Sequence, residues 1–354
     1  MIRSHGVDSM ARGLRAAMGE RAPDVTVVVP TLNAMRVLSQ CLESIVQQRT
    51  NLELELLVVD AGSTDGSRAI AERYGARLLE NPGRTGEAGK AIGLSAARGE
   101  LVAFIDSDNV LVEDRWFDQM VAPFREPDIV ASEPENYIAR RSDGYLTRYF
   151  AHLGMADPLC LFLGNYDRYC ALTGRWTDVP VRAEPRPGYD KVWLRPDQVP
   201  TIGANGFIIR RQVLSGLRMG DYLADVDVVD RLLDLEHWAF AKVHCGIVHL
   251  VAGSVQTFRR KQRRRIRDFL YYRRRGVRTR NPAMGNRRGL ARFIIATMLG
   301  WPLAWQAFQG LRKTRDPAWL FHPAACALTL FEYASGVAAS RWQTGSAERA
   351  NWSQ

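Results

Sequence analysis

Two carboxylates one residue apart, Asp106 and Asp108, close a continuously apolar run from Leu101 to Ile105 (LVAFI). A run of that kind reads as a strand buried on both faces. Ligands of open α/β sheets bind at the carboxyl ends of such strands. Paired carboxylates there suit a divalent cation with oxygen ligands, and such a cation commonly holds a diphosphate. D-x-D strings also arise by chance in solvated strand-to-helix turns, so what else reaches the same edge decides between the two.

Three further features fall in order before it: Pro30-Thr31-Leu32-Asn33, the turn Asp60-Ala61-Gly62-Ser63-Thr64-Asp65-Gly66, and Gly89-Lys90. Singly they read as a capping turn, a tight turn and a surface lysine. At the ends of successive strands they would line one site. Later, Gly203-Ala204-Asn205-Gly206 and Ala224-Asp225-Val226-Asp227-Val228 add amide and carboxylate groups.

The elements that must position these groups alternate between strand and helix, the mark of an α/β fold with a mostly parallel central sheet. Strands are expected at 25–29, 54–59, 77–79 and 101–105. Helices are expected at 34–47, 67–74 and 87–97, the second with Asp65 as its N-cap. Beyond residue 125 the spacing predicts strands at 129–132 and 207–209, a helix at 226–235, and two strand pieces at 241–244 and 246–250. Residues 137–200 have no clean period and read as an irregular, cleft-shaping connection. Four regions follow: a lead-in over 1–24, an α/β domain over 25–255, a basic and apolar helical region over 256–340, and a tail over 341–354.

The chain has 354 residues and a net charge of +10, but the excess is local. Residues 259–292 hold fifteen Lys or Arg and one acid, Asp268; the rest of the chain has 33 basic and 37 acidic residues. Such a block points to an anionic partner. Nucleic acid is not expected: the block carries no recognition module and leaves everything before residue 250 unexplained. Five scattered cysteines without a CxxC pair favour a reducing compartment over a disulfide framework. The first 24 residues lack the apolar core of a secretory signal. Two apolar segments, 291–311 and 317–340, approach the ~20 residues of a membrane span. Arg312, Lys313 and Arg315 between them would put charge on the wrong side of a spanning hairpin. In-plane helices on an anionic inner-membrane surface fit better, the alternative being ordinary buried helices. That gives a cytoplasmic, peripheral or monotopic location.

In order and spacing these motifs resemble the family 2 inverting glycosyltransferases of bacterial membrane-associated type, over about residues 24–270. VTVVVPTLN stands for the family's VSVVIPTYN-like opening, DAGSTDGS for its DDGSTDGT-like turn, and Lys90 for the basic residue of its G-x-ARN-x-G stretch. The D-x-D, the G-x-N at Asn205 and Gly206, and a GEDVDL-like motif at Asp225 and Asp227 follow.

The resemblance implies a GT-A nucleotide-sugar-binding fold. It implies a nucleoside pocket from Pro30, Thr31, Asn33 and Ser63, with Asp60 at the base. Lys90 would neutralise diphosphate charge, Asp106 would meet ribose or metal-bound water, and Asp108, with His249, would ligate Mn²⁺ or Mg²⁺. Asp225 would be the general base, with Asp227 in reserve. Asn205, Gly206, Arg259, Arg260 and Arg263 would face the acceptor or diphosphate. The donor would be a UDP-sugar or a GDP-sugar, and the acceptor a lipid-linked or cell-envelope glycan. The chain departs from the pattern at Ala61, Ala91 and Ala224. Gln256-Thr257-Phe258-Arg259-Arg260 lacks the Trp of the QxxRW motif of processive synthases. The departures keep open a catalytically degenerate membrane scaffold.

Overall fold

A computed structural model describes residues 22–215, 223, 225–251, 253–274 and 286–342. Most of the expected lead-in and tail lies outside these residues. The described chain forms two compact units. Residues 22–136 with Pro180–His249 make the first, and Tyr137–Val179 with residues 250–342 the second. The segment 137–179, expected as a connection inside one domain, clusters with the C-terminal helices instead.

The first unit is built on a ten-stranded sheet. Its parallel half is β1 (Val25–Thr31), β2 (Leu54–Asp60), β3 (Arg77–Glu80) and β4 (Leu101–Phe104), ordered β3-β2-β1-β4. These are the β-branched and leucine runs expected from sequence, and the two central strands β1 and β4 are buried along their length. Helices α1 (Met35–Val46), α2 (Ser67–Arg73) and α3 (Gly86–Ala96) cross over between them. The α3 helix lies close on β1 because Gly93 has no side chain: a Cβ there would sit 2.2 Å from Val28 Cγ1.

Beyond β4 the sheet turns antiparallel, which corrects the expectation of a mostly parallel one. The order continues β4-β9-β6-β10-β8-β7, with β5 (Asn109–Leu111) beside β10. Here β6 is Ala131–Tyr137, β7 Arg182–Arg186, β8 Tyr189–Trp193, β9 Phe207–Arg210 and β10 Ala239–His249. The two pieces expected at 241–250 are one strand. The hairpin β7–β8 falls in the stretch expected to be irregular. Its Pro187-Gly188 turn, with Gly188 at φ 84, allows the reversal that a Cβ would strain. Short helices α4 (Trp116–Val121), α7 (Arg211–Ser215) and α8 (Asp225–Asp234) complete this unit.

The second unit is helical: α5 (Tyr145–Leu153), α6 (Leu159–Leu163), α9 (Val255–Arg274), α10 (Arg287–Leu299), α11 (Trp301–Thr314) and α12 (His322–Trp342). The first apolar segment is two helices, broken at Gly300 (φ 73, ψ −44). Tyr149, Phe150, Phe258 and Trp319 form one aromatic core. Phe293, Ala296 and Leu303 form another with Leu159 and Cys326. Among the described residues no helix is long and apolar enough to cross a membrane.

Candidate active site

The turn after β1 and the turn after β2 are stitched together. Thr31 and Asp60, the last residues of the two strands, are register partners. Asn33 sits in the left-handed region (φ 47), which asparagine tolerates better than most residues. Its amide donates to Ser63 Oγ (2.8 Å), and its side-chain carbonyl accepts from the Thr64 amide (2.9 Å). Asp65 Oδ2 accepts from the Met35 amide and Oδ1 from the Ser67 amide, so one carboxylate serves the first turns of both α1 and α2. Burial acts to raise its pKa, but the hydrogen bonds from Ser67 and Met35 prevail and lower it. Gly66, in the left-handed region, is the residue at the α2 N-cap, so Asp65 does its capping from one position earlier.

Asp60 is fully buried at the floor of this corner. Its Oδ2 accepts from the Gly62 and Ser63 amides (3.1 and 2.9 Å) and from Arg68 (3.1 Å). Its Oδ1 is buried and, among the described residues, has no hydrogen-bond partner. A buried carboxylate oxygen of this kind calls for a donor that the described residues do not supply.

Lys90 is almost fully buried, with Nζ 3.4 Å from Asp106 Oδ1. The cation is thus presented at the D-x-D and not, as a surface lysine would be, to solvent. Asn109 organises the other side of that motif. Its Oδ1 accepts from the Asp106 amide (3.1 Å), and its Nδ2 donates to Asn205 Oδ1 (3.0 Å). Asn205 is itself left-handed (φ 52), and the next amide, of Gly206, donates to the Phe104 carbonyl (3.0 Å). The Gly203 amide donates to Glu133 Oε1 (2.9 Å), and Lys242 Nζ to Glu133 Oε2 (2.8 Å).

His249 ends β10 as the register partner of Asn109. Its Nε2 lies 3.6 Å from Asp108 Oδ2. Two ligands at about 2.1 Å from one cation would lie roughly 3 to 3.6 Å apart. An imidazole nitrogen and a carboxylate oxygen at that separation fit one divalent ion. Among the described residues no group of three His, Cys, Asp or Glu is placed to hold a metal by itself. The remaining ligands would come from a bound diphosphate and water, as hard divalent ions in phosphate sites commonly arrange. Behind the motif, Cys41 Sγ contacts the Asp106 carbonyl at 3.6 Å. Burial first, then the charges of Asp108 and Asp106, push its thiol up, so it stays an inert core group.

The structure therefore brings Pro30, Thr31, Asn33, Asp60, Ser63, Lys90, Asp106, Asp108, Asn205, Gly206 and His249 into one unit, at or next to the carboxyl ends of its strands. Asp225 and Asp227 occupy the first turn of α8, but their side chains lie outside the described residues. Arg259, Arg260 and Arg263 belong to the helical unit. Arg259 and Arg263 do not face an open anion site there: both donate to buried Glu332, Nε to carboxylate at 2.7 and 2.9 Å. Arg260 is exposed on the same helix. Sequence reading missed Asn109, Glu133, Lys242 and Ser67. Asn109, one residue past the D-x-D where the strand resumes, could have been found from its position alone.

Comparison with known proteins bears on the family and the fold. Residues 26–180 match the family model described as glycosyl transferase family 2. Glycosyltransferase GlyG of Streptococcus pneumoniae is 33% identical over 127 residues, 34% of this chain and 41% of that protein. Glucosyl-3-phosphoglycerate synthase of Mycolicibacterium paratuberculosis is 33% identical over 124 residues, 32% of this chain and 37% of that protein. The chain thus spans about two fifths of the length of these curated relatives. The mannosyltransferase PcManGT of Pyrobaculum calidifontis shares the fold with a TM-score of 0.51 at 15% identity, covering 93% of this chain and 99% of that one. With its α/β sheet and its motif order, the chain carries over residues 26–180 a domain that matches glycosyl transferase family 2, and its α/β fold is that of GT-A glycosyltransferase structures.

Proposed function

We propose that this chain is a metal-dependent inverting glycosyltransferase, moving a sugar from a nucleotide-diphosphate donor to a hydroxyl of a lipid-linked or cell-envelope glycan. The observation that carries the reading is the shared strand edge of Asp60, Lys90 and the D-x-D, with His249 3.6 Å from Asp108. In this reading the open oxygen of Asp60 accepts a hydrogen bond from the base, and the Asn33–Ser63 corner holds the nucleoside. Lys90 balances diphosphate charge. Asp108 and His249 would hold Mn²⁺ or Mg²⁺, which supplies positive charge to the departing diphosphate. Asp106 would meet the ribose or a metal-bound water.

Inversion needs one carboxylate that takes the acceptor proton while that oxygen attacks C1 from the face opposite the leaving group. The new C1–O bond forms as the C1–O(phosphate) bond breaks, and the electron pair leaves with the diphosphate. Asp225, at the start of α8, is assigned that proton, with Asp227 one alternate helix position away. Either a UDP-sugar or a GDP-sugar would suit the site. The acceptor's lipid would bring the chain to an anionic membrane face, where the basic helices work.

A thermal-shift series of UDP, GDP and their sugars, with and without Mn²⁺, tests the donor assignment. A ligand that binds only the folded form raises its melting point by mass action. Asp108→Ala should remove the metal-dependent part of that shift, and Asp225→Asn should keep donor binding while stopping transfer. Unimpaired transfer by Asp108→Ala removes Asp108 from the metal site, and full activity of Asp225→Asn moves the base elsewhere.

A further inference from the structure

Among the described residues, the helical unit carries apolar side chains that its packing leaves exposed. Along α10 the buried positions are Gly289, Phe293 and Ala296, and along α11 they are Leu303, Ala307 and Gly310. Both sets recur at i, i+4 and i+7, one face of each helix. Phe293, Ala296 and Leu303 share one core. On the sides turned away from those buried faces lie Ile295, Met298, Leu299, Trp301, Trp305 and Phe308, all exposed, Met298 at 79% and Trp301 at 69%. Trp305 and Phe308 stack on one another at 5.5 Å. Exposed apolar groups of this size, gathered in sequence on either side of Gly300, mark an interaction surface.

The charges around this corner say what covers it. No charged residue occurs from 293 to 311. At one end the outer stripe of α10 begins with Arg288 and Arg292. At the other the α11 stripe Trp301, Trp305, Phe308 continues at i+11 to Arg312, beside Lys313. Each arm is apolar at the corner and basic at its far end. From residue 269 to 342 the sequence has only two acids, Asp316 and Glu332. Both are occupied within the unit: Asp316 by Arg148 and His152, Glu332 by Arg259 and Arg263. Nothing acidic is left along this stretch to offset the arginines.

We infer that the α10–α11 corner is a wedge that seats in the interface of an anionic lipid bilayer, apolar tip in the acyl boundary and basic arms on the headgroups. The inference rests on, and deepens, the membrane part of the function proposed above. The wedge does not span. The thirteen residues of α10 reach about 20 Å, against about 30 Å of hydrocarbon, and Gly300 ends the helix. Tryptophan at the tip suits the headgroup boundary, where an apolar ring with a polar N–H is at home. A protein partner would need acidic groups matched to two separate basic arms, whereas a lipid surface supplies them everywhere.

The test uses the full chain and sedimentation with vesicles of phosphatidylcholine alone or with roughly a third phosphatidylglycerol. The wild-type chain should bind the anionic vesicles and bind the neutral ones much less. Trp301→Ser with Trp305→Ser should lower partition roughly tenfold. Arg292→Ala with Arg312→Ala should lower it by a similar factor and abolish the preference for anionic lipid. All four positions are exposed, so thermal unfolding and nucleotide binding should be unchanged. Absence of vesicle binding, or partition indifferent to the tryptophan pair, overturns the wedge. So does a dimer, seen by light scattering without lipid, that the tryptophan pair dissolves while vesicles go unbound. A chain that binds nucleotide sugar but not vesicles refutes the wedge alone; one that binds vesicles but no nucleotide sugar refutes the transferase alone.

Discussion

The Lys242–Glu133 pair offers a test that links packing to the site. Both side chains are wholly buried, with Nζ 2.8 Å from Glu133 Oε2 and 3.3 Å from the Pro134 carbonyl. The other carboxylate oxygen holds the Gly203 amide, two residues before Asn205, which accepts from Asn109 at the D-x-D. Lys242→Met keeps the volume and removes the ammonium 2.8 Å from the buried carboxylate. The cost of breaking such a buried pair is about 3 to 5 kcal/mol. Glu133→Gln alone should cost a comparable amount by removing the carboxylate charge beside the buried ammonium. The double variant leaves no charge behind, and the carboxamide oxygen introduced by Glu133→Gln can still accept from the Gly203 amide. It should return to within about 1 to 2 kcal/mol of wild type. Urea unfolding of the four proteins gives the coupling energy, expected above about 2 kcal/mol. Lys242→Met should also weaken nucleotide binding, although Lys242 itself is not in the site. Additive single variants, or a Lys242→Met cost below about 1 kcal/mol, would refute the reasoning.

Lys90→Met should weaken UDP or GDP binding in calorimetry by roughly 10- to 100-fold, the worth of one hydrogen bond to a charged group; a change under about threefold would remove Lys90 from the diphosphate. The helical unit should lose stability in acid through His322. The neutral ring is fully buried and bonded on both nitrogens, to the Tyr149 hydroxyl (2.7 Å) and to Gln306 Oε1 (2.9 Å). Burial pushes its pKa from 6.5 down to about 4. The unfolded chain therefore binds the proton first, so this contribution is complete above about pH 6.5 and is lost as pH falls toward 4, about 3 kcal/mol in all. Unfolding midpoints measured from about pH 7 to 4 should show the slope, and His322→Gln should flatten it; an equal slope in that variant would place the acid sensitivity elsewhere.

The parallel half of the sheet was legible because its strands are apolar on both faces and end in turns of fixed chemistry. The antiparallel half was legible only in part: β9, β10 and the start of β6 were expected, whereas the rest of β6 and the β7–β8 hairpin were not. β6 runs ASEPENY and β7 RAEPR, each with a proline and at least one acid, a composition that reads as loop. Tertiary contacts override it: Glu133 in β6 is neutralised by Lys242, more than a hundred residues on, and Arg182 from β7 lies over the Trp193 ring of β8. The segment 137–179 hid two helices of nine and five residues, too short for a clear period. The apolar run at 291–311 is interrupted in sequence at Pro302, and the helix breaks at Gly300 just before it. Gly ends a helix and Pro opens one.

The site divides along the same physical line. Residues that act through local geometry could be read from spacing. Asp65 caps the following helix through the Ser67 amide, and Asp60 closes a strand over its own following amides. Residues whose role is set by a distant partner could not. Asn109 is defined by Asn205, 96 positions later, and Arg259 and Arg263 by Glu332, about seventy later. An arginine cluster looks the same in sequence whether it awaits a phosphate or already holds a buried carboxylate. Only the position of Glu332 separates the two: it leaves Arg259 and Arg263 holding a buried carboxylate, while arginines such as Arg292 and Arg312 stay exposed.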